Sequence, residues 1–227
     1  MTYNELFIAV KNYLQNDFPT NTWTNVAGTG TTTSDGTEQI NTFIKQAEER
    51  IYNSVQIPAI RRNQTGNMTS GNKYLTLPTD WLATFSLAVI DPVTNAQSFL
   101  LDKDVNFIRE SFPDPDDTGT PTHYAQFDSN TLILGPTPDG NYGVELHYYY
   151  YPQSIVTAGT SWLGDNFESV LLYGSLREAY TYMKGEQDLM NYYEQKYQEA
   201  LGLLKQLGDG KNRRDAFRSG QVRVPVV

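Results

Sequence analysis

The sequence predicts an α+β protein, a helical bundle with an inserted small antiparallel β domain and an extended C-terminal arm. Three observations carry this expectation. Apolar residues recur at helical spacing up to residue 58 and again after residue 160. Residues 72–151 switch to short alternating runs parted by Gly, Pro, Asn and Asp. Beyond residue 208 the chain becomes basic and follows two closely spaced glycines. The expected division is a bundle of residues 1–58 and 160–208, a β insertion over 59–159, and an arm over 209–227.

The first helix is expected over 3–14, where Tyr3, Leu6, Phe7, Val10, Tyr13 and Leu14 share a face. Thr2 and Glu5 fit a capping box, and Pro19 follows as a stop. Residues 19–37 are rich in Thr, Asn and Gly and read as a polar loop, mobile until a neighbour orders it. Within it, Gly28-Thr29-Gly30 echoes a phosphate loop but lacks a preceding strand and a following Lys. A second helix is expected over 37–55. Ile40, Phe43, Ile44, Ala47, Ile51 and Val55 form its apolar stripe, with Glu48, Glu49 and Arg50 placed on the opposite side.

In the insertion, strands are expected at Tyr74–Leu77, Phe85–Ile90 and Ser98–Leu101, with a turn at Asp91–Asn95. Asp102 is expected to cap a short helix reaching Glu110, and 113–119 to be irregular. Thr122–Phe127 and Thr131–Leu134 follow as strands, 135–140 as a breaker, and Tyr142–Tyr151 as the last strand. Helix returns over 165–184, capped by Asp165, with Phe167, Val170, Leu171, Gly174, Leu176, Ala179 and Tyr180 inward. The longest helix is expected from Glu186 to Leu207 on Leu189, Tyr193, Tyr197, Ala200, Leu204 and Leu207, stopped by Gly208 and Gly210.

Composition narrows the chemistry. The 227 residues have mean hydropathy −0.51 and no run long enough to span a membrane as a helix. The start lacks the basic and apolar regions of a signal peptide, so an intracellular site of assembly is expected. Cysteine is absent, which excludes disulfides, Cys-type zinc sites and thiol nucleophiles. The net charge is −9, a balance that repels nucleic acid. It is uneven: residues 211–227 hold Lys211, Arg213, Arg214, Arg218 and Arg223 against Asp215 alone, a net +4, leaving −13 on residues 1–210.

Three constellations invite chemical readings. Asp114, Asp116 and Asp117 could bind a hard cation, but lack the glycine and terminal Glu of a calcium loop. Glu145 and His147 share a strand face and could serve acid–base work, although no nucleophile elbow or zinc motif accompanies them. His147-Tyr148-Tyr149-Tyr150-Tyr151 offers aromatic faces to protein, to bases or to sugars. Arg177-Glu178 reads as a solvated pair or an interface salt bridge. The residues alone give an assembly component with no visible active site, no cofactor and no metal.

Several runs in order carry a resemblance. They are Leu77-Pro78-Thr79-Asp80-Trp81, Gly119-Thr120-Pro121-Thr122-His123-Tyr124, Gly135-Pro136-Thr137-Pro138-Asp139-Gly140, Tyr149-Tyr150-Tyr151-Pro152 and Tyr173-Gly174-Ser175-Leu176-Arg177-Glu178-Ala179. Together, over about residues 72–207, the chain resembles the head-to-tail adaptor (connector) proteins of tailed bacteriophages, the short-tailed type above all. The resemblance implies a non-enzymatic structural protein of the virion, assembled in the host cytoplasm and placed at the head–tail junction of the capsid vertex. It implies a homo-oligomeric ring of about twelve copies below the portal protein. That ring joins the portal to the tail nozzle protein and continues the channel through which genomic DNA passes without sequence-specific binding or membrane contact. A C-terminal arm reaching the portal or a neighbouring subunit would use Arg213, Arg214, Phe217, Arg218, Val222, Arg223 and Val224. The guanidinium groups suit carboxylates, and the Val-Arg-Val alternation suits strand addition. The alternative function is a receptor- or carbohydrate-binding tail component, with Tyr149 and Trp162 stacking on sugar rings.

Overall fold

The computed structural model describes residues 1–16, 18, 21–24, 31–114 and 116–213, with backbone alone at 21–24, 31–34 and 209–213. It is α+β, and the chain divides into two compact units. Unit 1 comprises Met1–Ala59 and the chain from Pro152 onward, and unit 2 comprises Ile60–Tyr151.

Unit 1 opens with α1 (Tyr3–Leu14), where the Thr2 hydroxyl accepts from Glu5 N–H and the Glu5 carboxylate accepts from Thr2 N–H. The helix ends at Gln15, which adopts a left-handed conformation with φ 48°, so a local cap closes it before Pro19. The expected polar loop contains a hairpin instead, β1 (Asn21–Thr24) paired antiparallel with β2 (Thr31–Ser34). Its threonines suit extended backbone, a preference masked by the glycines of 28–30, which lie outside the described residues. Asp35 caps α2 (Gly36–Ser54) through Glu38 N–H.

After unit 2 the chain forms α4 (Ile155–Ala158), α5 (Trp162–Asn166), α6 (Glu168–Met183) and α7 (Gln187–Arg213). The single helix expected from 165 is thus two, and Asp165 lies inside α5, whose cap is Ser161. Helix α6 is central, packed by α1, α2 and α7. Its buried residues Val170, Leu171, Gly174, Leu176 and Ala179 therefore wrap more than half its circumference. Gly174 permits the closest approach: a Cβ there would stand 3.2 Å from Ala47 Cβ and 3.3 Å from Tyr197 Cε2. Lys184 caps α6 in a left-handed conformation, φ 53°.

Gly208 and Gly210 do not stop α7, and the first residues of the expected arm are helical to Arg213. Gly208 serves packing: a Cβ there would sit 2.8 Å from the Gln56 carbonyl oxygen. Along α7, Tyr193, Tyr197, Leu201 and Leu204 are buried, while Leu189 and Leu207 are exposed.

Unit 2 begins, after a turn of 3-10 helix at Pro58–Ile60, with β3 (Arg61–Asn67), a strand with no apolar residue. Then follow β4 (Tyr74–Thr76), β5 (Ala83–Ile90), β6 (Gln97–Phe99), β7 (Leu101–Asp102), α3 (Val105–Ser111), β8 (Thr118–Gly119), β9 (His123–Gln126), β10 (Thr131–Gly135), β11 (Thr137–Pro138) and β12 (Gly143–Tyr149). The cap of α3 is Asp104, not Asp102. The segments expected as irregular at 113–119 and as a breaker at 135–140 each supply one strand of a short parallel pair, β8 with β11.

One sheet has the order β3-β12-β5-β6, antiparallel throughout. The other has the order β4-β10-β9-β7, with β7 and β9 parallel. The chain passes between the sheets at buried Leu100: Leu100 N–H donates to Leu87 O, and Leu101 N–H to Thr122 O. Inward residues of both sheets share a core, including Leu87, Val89, Tyr124, Leu132, Leu134, Val144, Leu146 and Tyr148. The second sheet is also covered on its far side, where Ile108 of α3 meets Ala125 and Ile133. Burial on both faces explains the unbroken apolar run Leu132-Ile133-Leu134. The two ends of the unit are hydrogen-bonded, Tyr150 N–H to Ile60 O at 3.0 Å.

Candidate partner-binding surfaces

Strand β12 alternates cleanly, with Val144, Leu146 and Tyr148 inward and Glu145, His147 and Tyr149 outward. The ladder with β5 shifts register between His147 and Tyr148, and the extra residue at this bulge is Phe85. The bulge turns the Phe85 ring to the outer face, 5.4 Å from His147 and 5.9 Å from Tyr149. Arg61 of β3 lies over both rings, its guanidinium carbon 4.5 Å from the Phe85 centroid and 5.6 Å from that of Tyr149. Glu145 and His147 share this face as the alternation predicts. Glu145 is held by amides, accepting from Asn63 Nδ2 and from Gln97 Nε2 at 2.7 Å, while His147 packs edge-on to Phe85. The arrangement is a cationic–aromatic face, with the carboxylate turned to its flanking amides.

Behind it, the Asp80 of the Leu-Pro-Thr-Asp-Trp run fastens two strands. Its Oδ1 accepts from the Tyr148 hydroxyl at 2.9 Å and its Oδ2 pairs with Arg62 at 2.8 Å. Burial first, then the Asp80 carboxylate, pushes the Tyr148 phenol above its ordinary pKa.

In unit 1, Arg177 and Glu178 each bridge to another helix: Arg177 meets Glu194 of α7 at 2.5 Å, and Glu178 meets Arg50 of α2 at 2.8 Å. Glu48 is a correction to the expected outward placement. It is 3% exposed and its Oε1 accepts from Ile155 N–H at 2.9 Å, fixing the start of α4. Desolvation pushes its carboxyl above the ordinary value, against the opposing pull of the Ser154 hydroxyl and Ile155 N–H. Spacing was the available signal, because position 48 is four residues from Ile44 and three from Ile51.

Of the residues expected to bind a partner, Arg213 lies on the last turn of α7, with its backbone alone described. Arg214, Phe217, Arg218, Val222, Arg223 and Val224 lie outside the described residues. Asp114, Asp116 and Asp117 are exposed, and the Asp114 carboxylate accepts from Asp116 N–H in its own turn. Among the described residues no group of three His, Cys, Asp or Glu is placed to hold a metal ion. Trp162 is half-buried, with its ring centroid 5.7 Å from that of Phe167.

A comparison with curated proteins gives no match. The profile of the SU10 adaptor protein family matches residues 1–225, nearly the whole length. On that match the chain belongs to the SU10 adaptor protein family, a family of phage head-to-tail adaptors.

Proposed function

We propose that the protein forms the head-to-tail adaptor ring of a short-tailed phage virion, seated between the portal and the tail nozzle. The family match over residues 1–225 carries this reading. A net charge of −9 per copy supports a channel wall that repels DNA phosphates and lets the duplex slide. In this reading about twelve copies close one ring. The cationic–aromatic face of unit 2 is a contact surface within the assembly. The basic terminus, with Arg213, Arg214, Phe217, Arg218, Val222, Arg223 and Val224, docks on the portal or an adjacent subunit.

Mixing the purified chain with portal protein and imaging the complex tests the reading. A closed ring on the portal's tail-side face is the expected result, and a chain that never enters a portal complex overturns it. Truncation after Asn212 keeps nearly all of α7 and tests the arm. Portal attachment should be lost while the subunit fold persists, and in the intact chain it should weaken with salt. Attachment unchanged by truncation rejects the arm.

A further inference from the structure

Helix α7 carries a second apolar stripe besides the one it buries in unit 1. Leu189, Tyr192, Leu203 and Leu207 are 40%, 49%, 60% and 37% exposed. With Lys196 and Glu199 they recur at steps of three and four on one side of the helix, about 120° from the buried side of Tyr193, Tyr197, Leu201 and Leu204. At the centre of the stripe Lys196 Nζ and Glu199 Oε2 are 3.1 Å apart, so the stripe is neutral on a chain of net charge −9. Between two acidic bodies a neutral stripe carries less charge repulsion than an acidic one.

The order of residues along the stripe is self-complementary. Laid antiparallel on itself about a point between Lys196 and Glu199, it sets Tyr192 against Leu203 and brings Leu189 within one residue of the position facing Leu207. The same superposition sets Lys196 of each copy against Glu199 of the other. Apolar meets apolar and each charge meets its opposite, as a two-fold interface requires. The helix is 27 residues long, about 40 Å, room for several turns of contact.

We propose that two copies of the free protein pair through this stripe, α7 antiparallel to α7. A ring built on one rotation axis contains no such two-fold. The dimer is therefore a form of the unassembled protein, covering the Leu and Tyr side chains until other contacts replace it. This inference stands apart from the adaptor reading, since its test uses no portal.

The test is sedimentation equilibrium on the full chain with two charge reversals, K196E and E199K, alone and mixed. The wild type should dimerise. Each reversal alone should weaken self-association about ten-fold or more, because like charges then face each other at both crossings. An equimolar mixture should recover association as a heterodimer, and so should the double reversal alone. Circular dichroism melts unchanged between the variants exclude unfolding as the cause. A wild type that stays monomeric overturns the proposal, as does a mixture that fails to regain what the single variants lost.

Discussion

The hydroxyl of Tyr148, a residue of the β unit's buried core, donates to Asp80 Oδ1 at 2.9 Å while Asp80 Oδ2 holds Arg62. One carboxylate thus ties β12 and β3 to the loop before β5. Tyr148→Phe removes the donor without opening a cavity and should cost about 1.5 kcal/mol, read as a lower urea midpoint at constant m-value. An unchanged midpoint would mean that the hydrogen bond adds nothing to stability.

Two glycines of the bundle should respond with opposite sign. Gly202 faces open space, so Gly202→Ala should stabilise by about 0.5–1 kcal/mol through helix propensity. Gly174 is closed in by Ala47 and Tyr197, and Gly174→Val should cost about 2 kcal/mol by forcing α2 and α7 away from α6. Thermal melts of the two variants shifting in the same direction would contradict this packing.

Glu48 sets a pH dependence. Its native pKa lies above the ordinary 4.5, so between that value and the native one the folded state binds more protons than the unfolded state. Its contribution is fully present below pH 4.5 and is lost as pH rises through the native pKa. Glu48→Gln keeps an acceptor for Ile155 N–H and should flatten that fall in a pH series of urea titrations. Glu48→Ala leaves the N–H unpaired in a buried place and should cost about 2 kcal/mol at low pH, a cost that shrinks as pH rises through the native pKa of Glu48.

Lys184 occupies a left-handed cap at φ 53°, which strains a side-chain-bearing residue. Lys184→Gly should stabilise the protein by about 0.5 kcal/mol, since the relief exceeds the added freedom of the unfolded chain. A lower melting temperature would show that the lysine side chain makes a compensating contact.

Alkaline titration reads the aromatic core. Burial pushes Tyr124 and Tyr193 up to about 12, and a hydrogen bond with Tyr180 adds to the shift at Tyr193. Stability from both is present below pH 10 and lost as pH climbs through about 12. Phenolate absorbance should therefore rise in two stages, with the second coinciding with loss of native circular dichroism. Tyr193→Phe should diminish that second stage.

Helices α1 and α2 were legible because their burial follows the 3.6 period, and the strand β12 because its alternation is strict, whereas the short α4 and α5 were not separated from their surroundings. Strand β3 was not, since Arg61-Arg62-Asn63-Gln64-Thr65-Gly66-Asn67 carries no apolar signal and is placed by its ladder with β12. Glu48 was assigned outward by its charge although its spacing lay on the inward stripe. Gly208 was read as a stop because close approach to the Gln56 carbonyl is a tertiary fact. The pairing of Glu145 with His147 on one face was visible from alternation. The Phe85 bulge that builds the face around them depends on register with a strand far along the chain.

The hydrogen bond from Tyr150 to Ile60 bears on the order in which the chain folds. Unit 1 is assembled from two stretches, and its helix α2 must find α6 across a long intervening segment, a slow closure for an open chain. If unit 2 folds first, its joined ends bring the flanking stretches together and the remaining search becomes short. During synthesis the insertion also leaves the ribosome before α6 and α7. Pulsed amide exchange during refolding should therefore protect β5 and β12 before α2, and a bundle protected first would reverse this sequence of events.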